Sequence, residues 1–191
     1  MLAQLLDLVL GSVCDFLSFA FLARFAMQWA RVSFRNPVGR FVIAVTDWAV
    51  RPARKLVPGL FGLDLASFLL AWSMQWLYLA LLIGITGAYA GAIAPAMGFA
   101  AGVALLATVR LGIYLAMGVV IVAALLSWIN PYAPLAPLFN QLAAPLLRPM
   151  QRLLPPIGGL DLSPLFVLLL LQALLIVLGY LRLSVLPFSA S

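Results

Sequence analysis

Arg51-Pro-Ala-Arg-Lys-Leu-Val-Pro-Gly-Leu-Phe-Gly-Leu-Asp-Leu65 and Arg148-Pro-Met-Gln-Arg-Leu-Leu-Pro-Pro-Ile-Gly-Gly-Leu-Asp-Leu162 align without a gap, 97 positions apart. The shared pattern is R-P-x-x-K/R-L-x-P-x-x-x-G-L-D-L. A match of this length does not arise from composition, so the chain carries an internal duplication. Upstream, Asn36-Pro37 matches Asn130-Pro131 at 94 positions, so the second copy holds three extra residues; downstream, Gln75 falls on Gln172 at 97 again. Each copy reads as span, amphipathic helix, basic Pro/Gly hairpin, span. Both copies run in the same sense, so an axis along the membrane normal should relate them.

The surroundings of the repeated segment are apolar. Of 191 residues 66% are hydrophobic and only 8% charged, with a mean hydropathy of +1.18. A soluble domain carries roughly 25% charged residues. This is the composition of a membrane protein. A spanning helix needs about 20 apolar residues, and four stretches qualify: about Leu8–Ala30, Leu65–Ile85, Val103–Ile129 and Leu165–Leu183. The Gly- and Ala-rich connector before Val103 marks a break between spans two and three. The domains expected are a first repeat over 1–90, a connector over 91–102 and a second repeat over 103–191.

Two further segments have helical stripes. Val38, Phe41, Val42, Val45, Trp48 and Ala49 recur at three- and four-residue steps, as do Leu135, Leu138, Phe139, Leu142, Ala143 and Leu146. Both are bounded by prolines (Pro37 and Pro52; Pro134 and Pro145 to Pro149) and are polar on their other faces, which suits helices lying in a membrane interface.

There is no His, no Glu and one Cys. Imidazole metal sites, His-based triads and structural disulfides lack their parts. No catalytic residue, no metal and no cofactor is expected, and the protein is not expected to be an enzyme. The net charge is +6, and eight of the eleven basic residues fall between spans one and two or between spans three and four. These segments share one side, and the positive-inside rule makes it the cytoplasm, leaving both termini outside. The cations are thereby accounted for, and nucleic acid is not expected as a partner.

With Arg24-x-x-x-Gln28-Trp29, the Asn-Pro pairs, the R-P…G-L-D hairpins and Gly158-Gly-Leu-Asp-Leu-Ser-Pro164, nearly the whole chain resembles the bacterial YggT family. The first copy departs from the Leu-Asp-Leu-Ser-Pro ending, with Leu63-Asp-Leu-Ala-Ser67. The resemblance implies a small multi-pass protein of the bacterial inner membrane without a settled biochemical activity. It also implies links to osmotic tolerance and ion uptake or, in chloroplast relatives, to cytochrome-complex assembly and thylakoid organisation.

Candidate residues fall into two groups. Within the spans, Asp15 lies 21 residues before Asn36 and Arg110 lies 20 before Asn130, so opposite charges should sit at matched depth and pair. Gln75 and Gln172 follow the motif aspartates by 11 residues, near the midplane, where facing glutamines hydrogen-bond. Arg24 is expected to snorkel to the cytoplasmic interface. In the repeat motif, Asn36, Arg51, Arg54, Lys55 and Asp64, with Asn130, Arg148, Arg152 and Asp161, should contact lipid headgroups or a partner. Arg51–Asp64 and Arg148–Asp161 would close the hairpins. Asp64 and Asp161 suit N-caps of spans two and four. Gly112, Ala116 and Gly118 offer small residues for close helix contact.

The fold expected is an all-α membrane protein with four transmembrane helices plus two in-plane amphipathic helices, a tandem parallel repeat, and N- and C-termini outside. The function expected is non-enzymatic: an assembly or scaffold factor of the envelope or a membrane complex. The expected partners are anionic lipid headgroups, a protein of that complex and a second copy of the chain. The alternative is a small cation channel or transporter acting under osmotic stress.

Overall fold

The computed structural model describes residues 2–57, 59, 63–86, 93–153 and 161–185. Among them are six helices: α1 (Leu2–Trp29), α2 (Pro37–Leu56), α3 (Leu65–Thr86), α4 (Ile93–Ile129), α5 (Ala136–Leu153) and α6 (Ser163–Val185). Helices α1, α3, α4 and α6 are long and apolar enough to cross a membrane. The hairpin turns with Pro58, Gly62, Pro155 and Gly159, and residues 87–92 between α3 and α4, lie outside the described residues.

Apolarity all round makes the four long helices spans; amphipathicity makes α2 and α5 caps. Both caps lie at one end of the bundle, here called the basic end, since Leu138 of α5 is buried with Met27, Val32 and Val42. Helix α1 stops in a Schellman-type turn: Val32 N–H donates to the Met27 carbonyl (2.8 Å) and Arg31 takes the left-handed position, φ 53°. A non-glycine residue there costs roughly 1–2 kcal/mol. Gln141 of α5 holds the turn by donating to the Arg31 carbonyl at 3.1 Å. Asn36 then starts α2 as its N-cap, accepting from Gly39 N–H at 2.7 Å, with Pro37 behind it.

Three expectations change. Helix α2 continues through Pro52 to Leu56, and α5 runs through Pro145 and Pro149 to Leu153, so the basic half of each hairpin motif is helical. A cap exposed on one side loses little when a proline removes a ladder bond, because the freed carbonyl can turn to solvent. Helix α4 begins at Ile93, ten residues before the expected span. The second part of the connector is therefore helix, seated on α3 by Trp72 and Trp76, whose indole N–H groups donate to the carbonyls of Ala101 (2.9 Å) and Met97 (3.1 Å). At 1.5 Å per residue, its 37 residues reach about 56 Å, beyond a ~30 Å hydrocarbon layer.

The third concerns how the copies superimpose. Burial matches α1 to α4 at 99 positions: Cys14 with Ile113, Ala20 with Val119, Phe21 with Val120 and Arg24 with Ala123 are all buried. The Asn-Pro pairs suggested 94. They mislead because residues 30–35 separate α1 from Asn36, whereas α4 runs directly into Asn130.

Candidate functional site

The basic end of the first repeat is built around Arg24. Its residue is only 6% exposed, inside the bundle instead of snorkelling to the edge. One guanidinium nitrogen, Nη1, donates to Thr46 Oγ1 and to Asp47 Oδ1, both at 2.8 Å. Nε makes no hydrogen bond among the described residues and lies 3.7 Å from Asp64 Oδ2. Thr46 is fixed in turn by donating to the Val42 carbonyl at 2.6 Å. A single arginine on α1 therefore joins α2 to the start of α3.

Asp64 is the second hub, 2% exposed. Arg54 reaches it with both Nη2 (2.6 Å) and Nε (3.3 Å), and Nη2 also donates to Gln28 Oε1 at 3.0 Å. Ser67 donates its hydroxyl (2.6 Å) and its N–H (3.4 Å) to the same carboxylate, which caps α3. The expected Arg51–Asp64 pair does not form. Helix α2 runs on past Pro52, so Arg54 faces the hairpin while Arg51 pairs with Asp47 one turn back, at 2.7 Å. The electrostatics follow. The Arg24 hydrogen bond holds the Asp47 carboxyl below its ordinary range. Burial pushes the Asp64 carboxyl up, but the bonds from Arg54 and Ser67 outweigh it and the net shift is down. Arg54 is raised by its bond to Asp64.

The second repeat keeps the framework without the charges. Ala123 stands where Arg24 does, and Ala143 where Thr46 does; both alanines belong to an apolar cluster with Val120, Leu147, Val167 and Leu171. Gln151 replaces Arg54 and donates to Asp161 at 2.8 Å. Asp161 accepts from Ser163 N–H at 2.9 Å, and these bonds together outweigh its desolvation and lower its pKa. The expected Arg148–Asp161 pair is absent among the described residues, because the position facing Asp161 is Gln151. Asn130 caps no helix; it accepts from Tyr132 N–H at 3.2 Å. Lys55, Arg148 and Arg152 are exposed and form no ion pair among the described residues.

Toward the opposite end, Asp15, Gln75, Tyr78, Arg110, Tyr114 and Arg182 line a cavity of about 370 Å³ between the four spans. Asp15 and Arg110 share this cavity but are not ion-paired. Asp15 accepts from Gln75 Nε2 (2.7 Å), which also reaches Ser18 Oγ (3.2 Å). Arg110 donates to Tyr114 one turn along (3.0 Å) and stacks on its ring. The cause is the 99-position match. Arg110 lies 13 residues before Ala123 and Asp15 only nine before Arg24, a depth difference of roughly 6 Å along the helix. Gln75 and Gln172 do not meet either. Gln75 is buried against α1, whereas Gln172 is exposed on α6.

These features have relatives. A family model described as CCB3/YggT matches residues 3–85 and again 102–182. The chain belongs to the CCB3/YggT family. "Uncharacterized protein YggT" of Escherichia coli strain K12 is 34% identical over 170 residues, 88% of this chain and 86% of the relative. "Uncharacterized protein PA0392" of Pseudomonas aeruginosa is 36% identical over 156 residues, 79% and 76% of the two chains. A Vibrio alginolyticus protein, "Uncharacterized protein in proC 3'region", is 30% identical over 168 residues. No solved structure matches the chain significantly. The two CCB3/YggT segments carry the two copies compared above, so the contrast between charged and neutral junctions is a contrast between two units of one family.

Sequence reasoning put Arg24 at the membrane edge instead of in the bundle and missed Thr46, Asp47 and Ser18. One signal was available. Arg24 and Asp47 are charges of the first copy that stand opposite alanines, Ala123 and Ala144, in the second. Charges peculiar to one copy of a duplication are candidates to pair with each other.

Proposed function

We propose that the chain is a non-enzymatic scaffold or assembly factor of the bacterial inner membrane, whose basic end engages anionic lipid headgroups from the cytoplasmic side. The observation that carries this reading is the surface of that end. Helix α2 exposes Phe41 and Trp48, and Leu56 at its end. Lys55 on the same helix, and Arg148 and Arg152 on α5, are exposed and form no ion pair among the described residues. Aromatic and aliphatic side chains beside free cations suit the headgroup boundary, where each cation near the surface contributes about 1 kcal/mol. The Arg24–Asp47–Asp64–Arg54 network keeps this surface rigid without consuming its free cations. The test is thermal unfolding of detergent-purified protein with added phosphatidylglycerol or phosphatidylcholine. The anionic lipid should stabilise the wild type more. That preference should vanish in the Lys55→Gln/Arg148→Gln/Arg152→Gln variant, whose unfolding in phosphatidylcholine should match the wild type. Equal effects of the two lipids on the wild type would defeat the proposal.

A second reading, a path for cations across the membrane, is favoured by the cavity that holds Asp15. Polar and charged side chains inside spans commonly mark ion pathways. Potassium flux into liposomes carrying the protein, abolished by Asp15→Asn or Gln75→Leu in folded protein, would support it. Flux equal to that of empty liposomes would remove it.

A further inference from the structure

The two repeats are unequally buried, and the inequality has a direction. Helix α4 packs one face, Ala104, Thr108, Leu111 and Leu115, against the first repeat: Ala104 and Thr108 are fully buried, and Leu111 and Leu115 pack on the Phe21–Ala71 cluster. The matching face of α1 is bare, with Leu5 56%, Val9 58% and Phe16 52% exposed, and Ser12 exposed between them. The opposite faces show the reverse. Leu22 of α1 is 5% exposed while its match, Ile121 of α4, is 42% exposed. Helix α3 buries or half-buries Trp72, Gln75 and Leu79 beside α4; the matching positions of α6, Leu169, Gln172 and Ile176, are all exposed.

Two repeats meeting through a self-complementary contact would bury equivalent faces equally. Here the first repeat uses one face and the second repeat another, which is head-to-tail packing, and such packing leaves one unfilled face of each kind. The faces left bare are complementary, because their matched counterparts already fit each other inside the chain. Gln172 separates this from an ordinary lipid-facing surface. It lies 11 residues past Asp161, near mid-span, and has no partner among the described residues, whereas its match Gln75 bonds Asp15 and Ser18. A bare amide among acyl chains is costly, and a facing helix removes the cost.

We infer that a second copy of the chain fills these faces head-to-tail, its α1 packing against α6 and the bare side of α4 as α4 packs against α3 and α1 within the chain. Within the chain, Ala107 shares the cavity with Gln75 and Leu79. The matching intermolecular pair is Leu8 of one copy with Gln172 or Ile176 of the other. The test is disulfide crosslinking in native membranes, starting from Cys14→Ser, which removes the chain's one cysteine. Leu8→Cys with Ile176→Cys in one chain should give crosslinked dimers and larger species, while either change alone gives monomer. Trp72→Cys with Ala101→Cys, placed where Trp72 meets the Ala101 carbonyl, reports that the membrane preparation oxidises and folds correctly. Dimers from a single-cysteine variant would mean a symmetric contact and overturn the head-to-tail inference. Monomer alone from the double variant, with the control pair oxidised, would also overturn it and leave lipid on these faces.

Discussion

The first repeat holds its basic end together with buried ions; the second holds the same end together with alanine and leucine. Arg24, Thr46, Asp47, Arg54 and Asp64 do in one copy what Ala123, Ala143, Ala144, Gln151 and Asp161 do in the other. The shared backbone plan shows that the ions are not needed to make this fold. Replacing a buried ion pair with well-packed apolar residues is often neutral or stabilising, whereas removing one partner is strongly destabilising. The first repeat has therefore kept an arrangement that is easily broken.

The largest effect should come from breaking it at the hub. Arg24→Ala leaves Asp47 without its principal partner and Asp64 without its nearest buried cation, at a cost of about 3–5 kcal/mol. The counterpart change, Ala123→Leu, overpacks a tight apolar cluster and should cost about 1–3 kcal/mol. Thermal unfolding in one detergent compares the two, and equal losses would erase the contrast between the copies.

Next come the motif aspartates. Asp64→Asn removes the charge facing Arg54 at a site 2% exposed and should cost about 2–4 kcal/mol. Asp161 stands one residue before the N-cap position of α6, not at it; Asp161→Asn disturbs a partly exposed turn on Ser163 N–H and a neutral glutamine bond and should cost about 1 kcal/mol or less. A reversed order would show that the second hairpin is the more demanding one.

Acid sharpens the same comparison. Asp47, Asp64 and Asp161 all have carboxyl pKa values lowered by folding. Their contribution is complete above the unfolded carboxylate pKa of about 4 and is lost as pH falls through the lowered folded values. Unfolding temperature should thus be level near neutral pH and drop in acid. Asp64→Asn should flatten that drop more than Asp161→Asn does. The smallest effect belongs to Gln151→Arg, which rebuilds the Arg54–Asp64 pair in the second copy at the surface. It should add about 0–1 kcal/mol.

Much of this architecture is legible in the sequence. The duplication, the four spans, both amphipathic helices and the Asp64 cap follow from periodicity, proline placement and self-similarity, whereas the Asn36 cap is not read from them. The errors have one root, the use of local landmarks to measure depth. Asn36 and Asn130 look equivalent, yet one caps a helix after a six-residue turn and the other directly follows a helix end. That shift broke the expected pairing of Asp15 with Arg110. Treating Pro52 as a helix end similarly put Arg51 where Arg54 stands. Pairing between side chains of different helices depends on rotation and depth together, and a repeat fixes both only when its helices are matched by burial.

The most direct measurement compares the thermal unfolding of Arg24→Met with that of Arg24→Met/Asp47→Asn. If the first repeat rests on a mutually compensating charge cluster, the single variant is strongly destabilised and the double variant regains part of the loss, because the carboxylate that lost its principal partner is gone while Asp64 keeps Arg54. A single variant as stable as the wild type, or a double variant less stable than the single, would contradict it.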